Sequence, residues 1–487
     1  MVLTLLSRCL GVVKAMVTSH YFGAGALNDA INFAYNIPNN ARKLFAEGAF
    51  SASYIPSFAK NKERRDKTQK LASLLLTVQL LFFIPVIVLT FLFGRNIITA
   101  LSAFQNAEQI KIASTLLPLF TVFLTFISFG SIFSGILQAH SLFFMVGLCP
   151  IFYSGSVILA IIFFAPQYSY LAFGYGTIVG SFLQFLSCFF ACNRLGLKLS
   201  LSFDFKDKDF VSVMKRLLPI SLTNIIALLS QQITYYLASF LSEGSISAFA
   251  NSIILYQTPY GIFFTAIATV YYPIFSDDKN DTLDALNKSL VDLFTFLLPS
   301  SLALLTLSKE IISALFQHGA FTLENTLLTN QVASIYFIAL SIMGGFSLLQ
   351  RYNIARGNHW YTTGVIIITT SLDLLLSFIM IKTIHNVIAL PLAFIISQGF
   401  GILLLFIKVK GFDFKKWMKS ISKLVLCNLP LLIFCLVIKS LRLTYYMQGT
   451  TLKGLLLTVA LGLSMVVVTL ISYIVFKVPF LRALKKN

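Results

Sequence analysis

The segment from Ser7 to Phe58, SRCLGVVKAMVTSHYFGAGALNDAINFAYNIPNNARKLFAEGAFSASYIPSF, sets strong charges inside two runs that otherwise read as membrane-spanning. Arg8 and Lys14 fall in the first run, and Asp29, Arg42, Lys43 and Glu47 fall in or at the ends of the second. A cation at the centre of a membrane helix costs roughly 2.5 to 3.5 kcal/mol on insertion scales, so several in one place need a polar destination. A water-filled cavity that receives an anion is the simplest one. At 100° per residue Ser7, Gly11 and Lys14 share one stripe of the first helix, with Arg8 on its flank. In the second run Pro38 cannot donate to the carbonyl of Ala34, which predicts a kink among Asn32, Asn36, Asn39 and Asn40. Such amide-rich helix suits a cavity wall better than a lipid face.

Working outward, the 487 residues are 57% hydrophobic and only 11% charged, with a mean hydropathy of +0.84 and repeated apolar runs of about twenty residues. The fold class is an all-α polytopic membrane protein; continuous apolar runs argue against an alternating outer-membrane barrel. The net charge of +19 is dispersed over short loops, which excludes a nucleic-acid patch and points to membrane orientation. Cys9, Cys149, Cys188, Cys192, Cys427 and Cys435 all fall in predicted spans, and they read as small buried residues rather than metal ligands or disulfides. The five histidines have no metal-binding context, so no metal is assigned. No cleavable signal peptide is expected, because the first apolar run carries Arg8 and Lys14.

About fourteen spans are predicted, near residues 2–22, 28–58, 70–94, 109–138, 143–165, 168–193, 210–241, 245–275, 286–315, 325–350, 360–382, 387–408, 417–439 and 453–476. Alternate connections separate by charge. Lys60, Lys62, Arg64, Arg65, Lys67 and Lys70 fall in one connection, and Arg194, Lys198, Lys206, Lys208, Lys215 and Arg216 in another of the same phase. By the positive-inside rule both termini are cytoplasmic, which requires an even number of spans. The basic segment 194–216 divides the chain into an N-terminal lobe, 1–200, a C-terminal lobe, 201–410, and two additional helices, 411–487. A faint parallel repeat accompanies that division: Tyr54-Ile55-Pro56 resembles Tyr272-Pro273, and Ala139-His140 resembles Asn358-His359, with offsets of 217 (273 − 56) and 219 (359 − 140). The last two spans read either as plain lipid-facing packing or as an appended surface for a long lipid tail.

The opening stretch resembles the MurJ (MviN) family of lipid II flippases. The resemblance is carried by Ser7-Arg8-Cys9-Leu10-Gly11, Phe22-Gly23-Ala24-Gly25, Asp29-Ala30, Ile37-Pro38-Asn39 and the run Arg42 to Ser51, RKLFAEGAFS. Later segments, Ala238 to Leu241, Gly244 to Ser247 and Leu315 to Thr322, follow in the family's order. It implies the multidrug/oligosaccharidyl-lipid/polysaccharide exporter fold, with two six-helix lobes and two further helices forming a groove. It also implies a monomeric bacterial inner-membrane transporter of undecaprenyl-pyrophosphate-linked disaccharide-pentapeptide, with membrane lipids as its other partners. By position, Arg8, Lys14 and Arg42 match cavity cations of the family, and Ser7, Asp29 and Ser247 match polar cavity positions. Two departures stand out. The family usually has Arg followed by an acid where this chain has Lys14 and Ala15, and another essential Arg where this chain has Ile254, with Gln257 close by.

Arg8, Lys14 and Arg42 together suit a pyrophosphate, since Arg offers a planar fork and Lys a point charge. Against this, Arg42 and Lys43 could snorkel to an interface while Lys43 pairs with Glu47 at i, i+4. Asp29 is either a gate that pairs with a cavity cation in one state or an ordinary helix-start acid. Asp373, with Thr369 one turn before it in the eleventh span, is either part of an ion site for Na⁺ or H⁺ coupling or a hydrogen-bonded buried acid. No nucleophile–base pair or Gly-rich phosphate loop is present, so the chain is expected to move its substrate without a cofactor. The nearest rival is a cation-coupled drug or polysaccharide exporter of the same superfamily. A polyprenyl-dependent glycosyltransferase would need a sizeable extramembrane loop bearing acids, and no loop is that long.

Overall fold

The computed structural model describes residues 2–46, 49–61, 64–197, 200–277, 281–441 and 452–478; the side chains of residues 2, 4, 5, 49–52, 218–223 and 452 lie outside that description. Glu47 is therefore outside it, and with it the expected Lys43–Glu47 pair. Among the described residues every regular element is a helix. Contacts divide the chain into two compact units, Met1–Ile246 and Ser247–Asn487.

The first unit holds α1 (Val2–Phe22), α2 (Ala26–Phe45), α3 (Ala49–Lys60), α4 (Arg65–Leu101), α5 (Ala107–Ala139), α6 (Phe143–Tyr168), α7 (Tyr170–Asn193) and α8 (Lys208–Ala238). α9 (Ser245–Ser276) begins at its end. α5 is the hub: α2, α3, α4 and α7 pack on it, and α6 packs on α7 and α1. α8 lies on α2, α3 and α4, which is why the first compact unit extends past the basic segment. α2 runs on through Pro38, and it buries Asn28, Asp29, Asn36 and Asn40. Asn28 donates to the Gly23 carbonyl and Asn32 to Asn28 Oδ1 (3.0 Å), so part of this amide content ties the helix start to itself.

The second unit contains α10 (Thr282–Thr306), α11 (Ser308–Phe316), α12 (Leu323–Ala355), α13 (His359–Ile384), α14 (Ala389–Phe406), α15 (Phe414–Cys427), α16 (Leu429–Ser440) and α17 (Leu452–Val475). Its hub is α12, which receives α10, α11 and α14. α12 matches α5 in length at 33 residues, and the two are displaced by 216 positions at both ends (323 − 107 and 355 − 139). α13 and α6 are both 26 residues, displaced by the same 216 (359 − 143 and 384 − 168). The faint sequence repeat is thus a repeat of element lengths as well.

Eleven segments among the described residues are long and apolar enough to cross a membrane. With α1, α2 and α8 they make fourteen long helical segments, α15 and α16 counting as one. α2 falls outside the eleven because its amides, Asp29, Arg42 and Lys43 dilute it. α15 and α16 meet at Asn428, which donates to the Leu424 carbonyl (2.8 Å) and the Tyr473 hydroxyl (3.1 Å). Tyr473 in turn donates to the Thr295 carbonyl (2.8 Å), and Ser472 to that of Cys427. An asparagine and a tyrosine thus pin α15, α17 and α10 together. The rest of α17 is apolar and exposed at Leu456, Val459, Leu463 and Ile474, the composition of a lipid face.

Five of the six cysteines are buried, but Cys9 is exposed, on a stripe of α1 with the exposed Leu6 and Val13. The expectation that all six are buried fails there because this stripe of α1, which lies away from Ser7, Gly11 and Lys14, is left uncovered by the chain.

α6 and α7 approach closely at two glycines of α7. A Cβ on Gly180 would lie 2.8 Å from the Tyr153 carbonyl oxygen and 3.0 Å from its Cα, and one on Gly176 2.7 Å from Ala160 Cβ. Small residues four apart let membrane helices approach closely, where packing rather than hydrophobicity holds them. Gly180→Leu is expected to destabilise the protein by about 1–3 kcal/mol through overpacking. A lowered melting temperature in detergent would register this, with Gly155→Ala neutral because nothing lies within 4 Å of its added carbon.

Candidate functional site

α1 and α2 bring most of the expected cations into one neighbourhood of the first unit. The Lys14 ammonium sits 5.2 Å from the ring centroids of both Tyr35, on α2, and Tyr153, on α6. The two phenols share a hydrogen bond of 2.8 Å, so the rings form one rigid aromatic wall. Tyr35 is backed edge-on by Phe120 and Phe173, and Tyr153 lies against Phe123. A cation over ring faces is held by the ring quadrupole, more strongly as water is excluded. Arg42 lies within electrostatic reach of the Tyr153 hydroxyl.

Lys14 makes no ion pair among the described residues, and neither does Arg8. Both are half-buried, as are Ser7 and Arg42, whereas Lys43 is exposed and donates to Gln231 Oε1 at 2.8 Å. A Cβ on Gly11, between Ser7 and Lys14 on their stripe, would meet nothing within 4 Å. The stripe is thus open at Gly11 and closed by aromatic rings at Lys14.

Asp29 is placed elsewhere, at the start of α2. It is buried, and its Oδ2 accepts from the Gly244 amide at 2.7 Å. Gly244 has φ +90°, a conformation that suits glycine, and it belongs to the turn between α8 and α9. Asp29 also lines a cleft of about 250 Å³ with Phe104, Gln109 and residues 238–243. The carboxylate thus ties α2 to a turn at the close of the unit.

In the second unit Ser247 is fully buried in the first turn of α9. Ile254 is half-buried on the same helix, and Gln257 is exposed, its amide 3.5 Å from the Tyr256 hydroxyl. Asp373 Oδ1 is buried without a hydrogen-bond partner among the described residues. The Thr369 hydroxyl bonds the carbonyls of Val365 (2.9 Å) and Ile366 (3.0 Å) in its own helix, so no hydrogen bond joins the pair. A carboxylate oxygen with unused acceptor capacity is one hard ligand of the several that such a cation takes.

Three features were not anticipated from the sequence. Tyr35 stands seven residues before Arg42, hence on its stripe, and that spacing was a readable signal. Tyr153 had none, because only tertiary packing brings α6 to Lys14. The third is Arg351 within α12, whose guanidinium lies 5.9 Å from the ring centroids of both Phe264 and Tyr272.

A family model described as lipid II flippase MurJ matches residues 18–477. A protein of Borreliella burgdorferi named "Probable lipid II flippase MurJ" is 31% identical over 361 residues, covering 72% of this chain and 71% of its own length. A protein of Thermotoga maritima with the same name is 28% identical over 437 residues, 88% of each chain. A solved structure, "Lipid II flippase MurJ, inward closed conformation", superposes with a TM-score of 0.82 at 26% identity over 99% of this chain and 98% of its own. An inward-facing multidrug resistance MATE family transporter of the MOP superfamily gives 0.67 at 13% identity over 86% of this chain and 95% of its own, a likeness of fold. With a family match over nearly its whole length, the chain belongs to the MurJ family of lipid II flippases.

Proposed function

We propose that this protein carries undecaprenyl-pyrophosphate-linked disaccharide-pentapeptide from the inner to the outer leaflet of the bacterial cytoplasmic membrane, both of its termini remaining cytoplasmic. It acts as a transporter and leaves its substrate chemically unchanged. The observation that carries this reading is the half-buried Arg8 and Lys14, neither of them ion-paired among the described residues, on a helix that is open at Gly11. Cations kept without carboxylate partners in a low-dielectric region are set for an anion that arrives from outside the chain.

In this reading Arg8 and Arg42 bind pyrophosphate oxygens through their planar forks, and Lys14, steadied over Tyr35 and Tyr153, adds a point charge. Ser7 offers its hydroxyl to the head group. Asp29 holds its turn in one state and releases it in another, and this exchange is the gate. The two lobes rock in alternating access while the lipid tail stays along the apolar α15–α17 surface. A potential negative inside favours outward movement of anionic charge by about 2.3 kcal/mol per charge per 100 mV, which gives direction without ATP. Asp373 and Thr369 take Na⁺ or a proton as the coupling ion. Ile254 leaves the C-terminal half with one cation fewer than is usual in the family, which puts the weight of anion binding on α1 and α2.

Conditional depletion with a leaflet-specific assay for the lipid-linked precursor tests the function; an unchanged distribution on depletion would refute it. In complementation, Arg8→Ala and Arg42→Ala are each expected to lower flipping at least about tenfold, the scale of a lost charge-assisted contact. Normal flipping by both would remove the site assignment. Lys14→Arg is expected to retain flipping, Lys14→Met to abolish it, and Tyr153→Phe to weaken it several-fold while the protein remains folded. For ion coupling, Asp373→Asn in proteoliposomes should make transport insensitive to an imposed Na⁺ or proton gradient; a variant as gradient-responsive as the wild type would exclude Asp373.

A further inference from the structure

The connection between α7 and α8 distributes its charge unevenly. Its acids are engaged on one side: Asp204 and Asp207 meet Lys70 at 2.7 and 3.2 Å. Asp207 Oδ1 also caps α8 by accepting from the amides of Asp209 (2.9 Å) and Phe210 (3.1 Å). Partial burial would raise the Asp207 carboxyl, but those amides and Lys70 outweigh it and hold the group below its ordinary value. Asp209 accepts from Asn61 at 3.0 Å.

The cations on the other side have no such partners. Lys206, Lys208, Lys215 and Arg216 line a cleft of about 460 Å³ with Val211 and Ser212, and no carboxylate borders it. None of the four is ion-paired among the described residues. Arg216 is fixed in place, its Nη2 donating to Ser57 Oγ (3.0 Å) and Ser212 Oγ (2.9 Å) and its Nε to the Ser212 carbonyl (3.3 Å).

A second observation bears on the occupant. Leu201, Phe203 and Phe205, immediately before the cationic residues, are 62%, 63% and 38% exposed. Phe205 rests 5.9 Å from the buried Phe210, but the chain covers neither Leu201 nor Phe203. This segment joins the ends of two membrane-spanning helices, so it lies at the bilayer surface, where exposed rings can enter hydrocarbon. A soluble anion would satisfy the cations and leave the rings in water. A lipid satisfies both.

We infer that this cleft binds the phosphate head group of an anionic phospholipid, with Leu201, Phe203 and Phe205 set among the upper acyl carbons. The site depends only on the chain lying in a membrane, not on the substrate reading above. Each cation near an anionic membrane surface is worth roughly a fivefold change in affinity, so three acting together are expected to exceed tenfold.

The test uses the full chain in detergent, with retention of phosphatidylglycerol or phosphatidylcholine followed by native mass spectrometry. Wild-type protein is expected to hold phosphatidylglycerol at least about tenfold better than phosphatidylcholine, with excess inorganic phosphate failing to displace it. Lys206→Gln/Lys208→Gln/Lys215→Gln should lose that preference, while the charge-matched Lys415→Gln/Lys419→Gln/Lys423→Gln on α15 keeps it. Phe203→Ser/Phe205→Ser should weaken retention several-fold. Equal loss in both triple variants would reduce the effect to net charge and overturn the proposal. So would unchanged retention in the first triple variant, or displacement by phosphate together with indifference to the Phe substitutions. Should that triple variant fail to fold, Lys206→Gln alone, at an exposed side chain, should weaken retention threefold or more, and no change would overturn the proposal equally.

Discussion

A positive charge inside a bilayer has to be surrounded by something other than hydrocarbon, and in this chain Lys14 shows how that is met. Its ammonium is held by two aromatic faces rather than by a carboxylate. An ion pair would have neutralised it and removed its use to an incoming anion; ring faces steady it while leaving its charge uncancelled. The remaining features of the first unit serve this arrangement. The phenol–phenol bond fixes the two rings relative to each other, Phe120, Phe123 and Phe173 back them, and the Thr18 hydroxyl bonds the Lys14 carbonyl at 2.8 Å within α1.

The class of the fold was legible because a bilayer enforces it: long apolar segments with few charges have no alternative to helix. The N-terminal cations were legible for the opposite reason, as charges in the wrong solvent. Residues whose role depends on a distant element were not legible. Tyr153 is one of nineteen tyrosines in the chain, and nothing within α6 distinguishes it. Asn428 sits in an apolar run, and its bond to Tyr473 spans 45 positions. Asp29 was read as a gate or a helix-start acid, but its grip on the Gly244 amide lies 215 positions away and depends on a turn geometry that no local pattern announces.

The halves repeat in element lengths but not in chemistry. α5 and α12 are the most buried spans of their units, and each is a hub around which the others are arranged. The first half carries its cations on α1 and α2, of which α2 packs on the hub. In the second half, Asp373 lies within a span and Arg351 lies over the rings of α9. Packing constraints are therefore duplicated while electrostatic ones are divided, and a hub can be kept while the charges around it diverge.

The contact of Gly176 and Gly180 with α6 has a mechanical corollary. Where two helices touch backbone to backbone there are no flexible side chains to absorb relative displacement, so sliding and pivoting both meet hard repulsion. α6 and α7 then behave as a single stiff plank, and Tyr153, whose own carbonyl forms part of the seam, is fastened to it. Displacing the backbone that carries the ring beneath the lysine therefore means moving α7 with it.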